Sequence, residues 1–452
     1  MNETRELARL ATELKYEDMP PDVIKKAEEL ILDQFGVQVS ASTRPWCQAA
    51  YKQVRDLNSS GSSTILNYGD KVGAELAAFV NGTFGHGFEI DDTYPQANLH
   101  PGCVIVAAAL ALGERELIDG KTFLLAVVTG YEVMGKIAKS LAPSIINRGH
   151  HPTATLGPMG AAATAGKILG FNEEQMLNAI SIAACLGSGL MEFTFTGGSV
   201  KRIYGGIGAQ GGIKAALLAQ RGLTGSLAAL EGEAGLCKAF SDECRLEEIT
   251  SDFGKKWVVP DIIYKRYHTD YMIQAPIDAL LKLRNEHKIK PDDVEEIVVM
   301  TNKTAFRVIG AITKPKDITG AQFSASFCMG MALVRGSCSF KDFVDESLSD
   351  PAILDVARKV TLELDEEIQA AYPAKRGGGV RLKLKDGTCL EEKVLNLKGT
   401  PYNPMTREEV EDKFRGLATI VLSKEKVEEV VKAVRRLDEL KDVSVLCSLL
   451  VR

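Results

Sequence analysis

The feature that most constrains this chain is a set of helical segments with almost no charge to turn toward water. Residues 74–88, 104–114, 122–141, 153–169, 174–186 and 205–220 carry apolar residues at helical spacing, and several are rich in Ala and Gly. A helix without a polar face must be buried on most sides, and small side chains let its neighbours approach closely. Residues 22–37 place Val23, Ile24, Ala27, Leu30, Ile31 and Phe35 on one helical face, directly after Pro20 and Pro21, where proline is tolerated. Charges interrupt each segment, and the greasiest run, 103–113, is too short to span a bilayer. The spacing therefore predicts a large packed helical domain from residue 1 to about 262.

The pattern changes near Tyr264. Residues 294–301 form a β-branched run after the turn signal Lys290-Pro291-Asp292-Asp293. Val380, Leu382 and Leu384 alternate with Arg381, Lys383 and Lys385, Asp386-Gly387 follows, and residues 389–397 return, as in a hairpin. Helical patterns at 277–286 and 324–334 lie between the strands, so residues 263–398 read as a smaller α+β unit. Helices resume after it. Thr406 and Glu409 have the spacing of a capping box, and 423–437 carries Val427, Val430, Val431, Val434 and Leu437 on one side. Residues 399–452 are expected to rejoin the first helical part. The expected fold class is mainly α with an α+β part: a discontinuous all-helical domain plus an inserted lid domain.

A length of 452 residues fits two or three domains. The net charge of -6 argues against nucleic acid or an acidic membrane as partner. The cysteines are nine, odd in number, and none form a C-x-x-C pair. That pattern fits reduced thiols in a cytoplasmic protein and gives no support to structural zinc or an iron–sulfur cluster. The N-terminus has no signal-peptide apolar region.

Four of the six histidines fall in segments that read as loops between apolar helices. One such segment holds His86, Glu89, Asp91, Asp92, Thr93 and His100; another holds Arg148, His150, His151 and Thr153. Imidazole and carboxylate are the usual proton carriers near neutral pH. Two other readings stay open: ligation of a divalent ion by His and Asp, and plain helix capping by Asp91 and Asp92. Two basic clusters, Lys201-Arg202 and Lys265-Arg266 with His268 beside it, could hold carboxylates by charge-assisted hydrogen bonds or could be surface charge. The Gly205-Gly206-Ile207-Gly208 run follows no strand and lacks dinucleotide-loop spacing, so it reads as close helix packing.

These segments occur in a telling order. Gly85-His86-Gly87-Phe88-Glu89-Ile90-Asp91-Asp92-Thr93, His100-Pro101, His150-His151-Pro152-Thr153, Ser199-Val200-Lys201-Arg202, Tyr264-Lys265-Arg266-Tyr267, Gln322-Phe323-Ser324 and Gly399-Thr400-Pro401-Tyr402-Asn403-Pro404 together resemble the MmgE/PrpD family over nearly the whole chain. The resemblance implies a homodimer without metal or organic cofactor, acting on a small di- or tricarboxylate. It implies catalytic roles for His100, His151, Lys201 and Lys265, and it matches Asp92 and Thr93 to the family's acidic motif. Asp91, Arg202, Arg266, His268 and Asp270 join Asp92 and Thr93 as candidate substrate contacts. Three features depart from the family pattern: Glu89 stands where members often have Asp, Asp270 stands where the decarboxylase has His, and the loop before His100 is one residue longer.

Removing a proton beside a carboxylate requires a placed base and stabilisation of the charge that develops. The expected machinery is an anion clamp of Lys201, Arg202, Lys265 and Arg266, with His100 and His151 exchanging acid and base roles. The expected activity is a hydro-lyase of the 2-methylcitrate dehydratase type. The alternatives are an epimerase of the iminodisuccinate type, a decarboxylase of the cis-aconitate type, and a carboxylate-binding protein without chemistry.

Overall fold

Helix α1 (Pro21–Ala41) opens with Pro21 in its first turn, where the missing N–H costs nothing. The structure, a computed structural model, describes the chain from residue 2 to residue 452, and α1 is buried along most of its length. Its interior face carries more than the apolar residues that periodicity picks out: Asp33, Gln34 and Gln38 are also buried.

The other charge-poor segments form α2 (Ala74–Gly85), α3 (Gly102–Glu116), α4 (Gly120–Leu141), α5 (Pro152–Ile168) and α6 (Tyr204–Gln220). In α3 every residue from Gly102 to Glu114 is buried. Glycines set the spacing: a Cβ on Gly206 would stand 2.2 Å from the Phe79 carbonyl oxygen, and one on Gly157 3.2 Å from the Gly208 Cα. The glycine run of α6 is thus a packing seam against α2 and α5. In the C-terminal stretch follow α7 (Arg407–Ala418) and α8 (Lys424–Val434). The Thr406 hydroxyl accepts from Glu409 N at 3.2 Å and the Glu409 carboxylate accepts from Thr406 N at 2.7 Å, completing the capping box. α7 lies so close to α1 that a Cβ on Gly36 would meet the Phe414 ring at 3.2 Å.

These helices belong to one unit, built from the chain up to Met191, Lys201–Ile263 and Thr406–Arg452; a second unit comprises Glu192–Val200 and Tyr264–Met405. The second unit holds β1 (Val294–Thr301), β2 (Val360–Leu364), β3 (Gly378–Leu384) and β4 (Cys389–Val394) in the order β2-β1-β3-β4. β1 pairs parallel with β2 and antiparallel with β3, and β3–β4 is the expected hairpin, with Gly387 at φ +91°. Val380 and Leu382 are buried while Lys383 is exposed, which is the alternation of a sheet with one covered face. Strand β2 escapes periodicity because its residues are all half-buried or exposed.

The helix Tyr271–His287 begins six residues before the 277–286 expectation. Asp270 caps it by accepting from Met272 N at 2.9 Å, and Pro276 lies inside it, where proline normally signals a break. The architecture is mainly α with an α+β part, and no described helix is long and apolar enough to cross a membrane.

Candidate active site

The residues that carry chemistry in the first unit hang on helix ends. α2 stops at Gly85, and His86 occupies its C-cap with its N–H still bonded to Gly82 O at 3.0 Å. A non-helical segment then runs to Pro101, the N-cap of α3. It is tied down at several points. Trp46 Nε1 donates to Gly87 O at 2.7 Å. Thr93 and Ile263 exchange backbone hydrogen bonds of 3.0 and 2.9 Å. Glu89 takes φ +57°, a left-handed conformation that a residue with a Cβ adopts only when its surroundings enforce it. His151 is the N-cap of α5, its N–H bonded to Gly189 O at 3.1 Å. Lys201 and Arg202 sit on the 3₁₀ turn Ser199–Ile203 that leads into α6.

Three imidazoles meet here. The ring centres of His86 and His100 are 5.0 Å apart, those of His86 and His151 5.7 Å, and those of His100 and His151 6.1 Å with nearly parallel planes. Nδ1 of His100 lies 2.8 Å from the Asp92 carbonyl oxygen. A carbonyl only accepts, so Nδ1 carries the proton and the Nε2 lone pair of the neutral ring is the basic one. Nδ1 of His86 faces the Asp91 carboxylate at 2.7 Å, and the same oxygen is 3.5 Å from His100 Nδ1. The Thr153 hydroxyl accepts from His100 N at 3.0 Å, which joins the start of α3 to the start of α5.

Burial lowers the basicity of His86 and holds His151 well below the usual imidazole range. For His151 the nearby His86, Lys201 and His100 act in the same direction. Its place at a helix N-terminus, where the dipole disfavours positive charge, adds to that.

Glu89 is the anionic centre. One of its oxygens accepts from both the Lys201 ammonium and the Arg202 guanidinium, the latter at 2.5 Å, and all three side chains are buried. The Arg202 guanidinium also lies over the Trp46 ring, 5.4 Å from its centre. The Lys201 ammonium acts electrostatically on His86 and His151, so it shares their site.

Asp92 is spent locally. Its carboxylate accepts from Gly102 N at 3.0 Å, capping α3, and from the Tyr131 hydroxyl at 2.7 Å. Burial pushes its carboxyl up to about 7, against the pull of those two donors. The capping reading of Asp92 is therefore realised, and Asp91 serves His86 instead. The Thr93 hydroxyl is 3.3 Å from His100 Nδ1.

His86, Asp91 and Cys103 offer ligand atoms within 4.8 Å of one another. A divalent ion there would have to break the Asp91–His86 hydrogen bond. It would also need a thiolate from Cys103, whose thiol burial keeps far above its ordinary range and which donates to His100 O at 3.2 Å. The trio fits a hydrogen-bonded proton site better than a metal centre.

The remaining expected site residues lie in the second unit. Lys265 is buried. Arg266 is partly exposed, with its guanidinium 2.9 and 3.0 Å from the two oxygens of Asp278. His268 packs edge-on against Phe340, and Asp270 is the helix cap described above. The structure thus brings His100, His151, Lys201, Asp91, Asp92, Thr93 and Arg202 into one unit, and places Lys265, Arg266, His268 and Asp270 in the other.

Sequence reasoning named His86 and Glu89 in the histidine-rich segment without giving either a role, and it left out Tyr131. Glu89 was findable: two adjacent cations entering an apolar helix need a buried counter-charge, and the histidine-rich segment is the nearest source by type. Tyr131 was not, because an aromatic in an apolar helix reads as core.

The first unit therefore holds a buried cluster of three imidazoles with a paired ammonium beside it. Residues 5–248 match the MmgE/PrpD N-terminal domain and residues 267–439 the MmgE/PrpD C-terminal domain. A cis-aconitate decarboxylase of Aspergillus terreus is 30% identical over 99% of this chain and 95% of its own length. The cis-aconitate decarboxylase of Homo sapiens is 27% identical over 97% and 92%. A 2-methylcitrate dehydratase of Escherichia coli is 23% identical over 84% and 83%. The chain belongs to the MmgE/PrpD family of enzymes.

Proposed function

We propose that the protein is a lyase that moves a proton on the carbon beside a carboxylate of a small tricarboxylate, with decarboxylation of cis-aconitate as its preferred reaction. The observation that carries the proton-transfer reading is the group of His86, His100 and His151 with a committed Nδ1–H on His100, next to the Lys201 ammonium. The likeness to named cis-aconitate decarboxylases over 99% of the chain favours that substrate over 2-methylcitrate, which the motifs alone put first.

In the decarboxylation, the C–C bond to one terminal carboxylate breaks and carbon dioxide leaves. The freed electron pair forms a new C=C, and the old double-bond pair moves to the carbon beside another carboxylate. That carbon takes a proton from the His100 imidazolium, with His151, held neutral by burial and its cationic neighbours, beside it. Lys201 steadies the charge that builds on the adjacent carboxylate. Asp91 and Asp92 act as positioning groups in this scheme, because their oxygens already serve His86, Gly102 and Tyr131. Lys265 remains a catalytic candidate by family position, and no cofactor is assigned a role.

A second reading, elimination of water from 2-methylcitrate, is favoured by the lowered basicity of His86 and His151, since a neutral imidazole is ready to take a proton. Incubation with each acid in deuterium oxide, followed by NMR, separates them. One deuteron in a product one carbon shorter supports the first reading. An unsaturated product of unchanged carbon count supports the second. Binding without any exchange or product overturns both and leaves a carboxylate-binding protein.

A further inference from the structure

We infer that Lys413, braced by Asp33, is a positioning residue of the proton-transfer site, an inference that rests on the reading of the histidine group as catalytic. Lys413 reaches the site from the far end of the chain, on α7. Its ammonium donates to the Ile90 carbonyl at 2.9 Å and lies 2.7 Å from Asp33 Oδ1 of α1. The Asp33 side chain is wholly buried, and that of Lys413 is 9% exposed.

Ile90 stands between the two residues whose carboxylates organise the site. Before it is Glu89, in the left-handed conformation and holding Lys201 and Arg202. After it is Asp91, holding His86. The carbonyl of Ile90 and the N–H of Asp91 belong to one planar peptide, so whatever fixes that oxygen fixes the direction in which Asp91 leaves the backbone.

Two contacts grip Ile90 in register. One helical turn beyond Asp33 on α1 is Val37, and one turn beyond Lys413 on α7 is Leu417. Val37, Leu417 and the Ile90 side chain form one buried cluster. The apolar turn of the α1–α7 seam thus holds the side chain of Ile90, and the charged turn holds its carbonyl. A buried ion pair is a poor source of stability, because desolvating both ions offsets their attraction. Burial indeed pushes the Asp33 carboxyl up while Lys413 pulls it down. A hydrophobic pair would close this seam as well, but it would leave the Ile90 carbonyl without its charged donor.

The test pairs kinetics with a reading of the resting protein. The double variant D33N/K413M removes both charges of the pair together, and the neighbouring Lys26 keeps Glu29 as a counter-charge. It should fold, lose about 10- to 100-fold in kcat and keep KM within about 3-fold, as expected for misplaced groups that do not bind substrate. In ¹⁵N-histidine-labelled protein, the His86 Nδ1–H signal should shift or broaden. K413R should keep both signal and turnover, and F414L, which alters the same seam beside Gly36, should lower Tm with the signal unmoved. If the double variant does not fold, K413Q, too short to hold the carbonyl, gives the same two readings. An unmoved His86 signal in the folded double or K413Q variant overturns the assignment. Because that signal needs no substrate, it decides on Lys413 even if neither tricarboxylate is turned over, a result that would overturn the function alone.

Discussion

Oδ2 of Asp91 lies 2.7 Å from Nδ1 of His86, with both side chains almost wholly buried. The carboxylate holds the Nδ1–H tautomer and so places the lone pair of His86 on Nε2, the atom that makes no hydrogen bond among the described residues. Replacing Asp91 with Asn removes the charge but keeps the size. kcat on a confirmed substrate should fall about 10²-fold or more, as when an orienting partner of a catalytic imidazole is lost. Steady-state kinetics on the folded D91N protein checks this, and near-normal turnover sinks the role given to the pair.

H151A and K201A should each lower kcat by about 10²- to 10⁴-fold, the range for removing a proton donor or a charge-stabilising group. K201A should also disturb Glu89, which would keep Arg202 as its one remaining partner of the two cations. Circular dichroism and a melting curve must show folded protein for the kinetics to count. Retained turnover in both variants ends the proposed site.

Asp92 gives a pH signature. Its folded-state value, pushed up to about 7 by burial, lies above the unfolded value of 3.8. The unfolded chain therefore gives up that proton first, and the group costs stability as pH rises from about 4 through 7. D92N keeps an oxygen for Gly102 N without the charge. Its Tm relative to the parent should be more favourable at pH 8 than at pH 4.5. A difference that is flat or reversed with pH contradicts a carboxyl held protonated by its surroundings.

R266A should leave kcat/KM within about 2-fold. Its guanidinium is paired with Asp278 at a partly exposed position, and such pairs contribute about 0–1 kcal/mol. K265A, by contrast, should cost at least about 10²-fold if the family position carries over. Measuring the two side by side tells whether Lys265 acts without help from Arg266.

G206A should destabilise by about 1–3 kcal/mol or prevent folding, since the added methyl would stand 2.2 Å from the Phe79 carbonyl oxygen. Denaturant unfolding reads this directly, and an unchanged midpoint would mean that α2 and α6 can separate without cost.

Much of the helical core was legible because charge-poor segments admit few placements. The 74–88 and 205–220 patterns differ from α2 and α6 by no more than three residues at either end. The hairpin declared itself through Asp386-Gly387, and the start of α7 through Thr406 and Glu409. β2 was hidden because a half-exposed edge strand has no clean alternation. The start of the Tyr271–His287 helix was hidden by Pro276. In the site, residue types pointed to His100, His151 and Lys201, but pairings did not follow from type. Nothing in the order of residues says that Glu89 takes two cations, that Asp91 serves His86, or that Asp92 caps α3. Those assignments depend on a backbone that turns left-handed at residue 89.

The first unit is written in three separate stretches of chain, the last beginning at Thr406. During synthesis, Asp33 and the Ile90 carbonyl must wait for their ammonium until more than three hundred further residues have left the ribosome. A fragment ending at residue 263 holds every histidine of the centre yet lacks the pin at Ile90. The N-terminal half is therefore a poor candidate for separate expression, and its assembly is governed by contacts very distant in sequence, which slow folding.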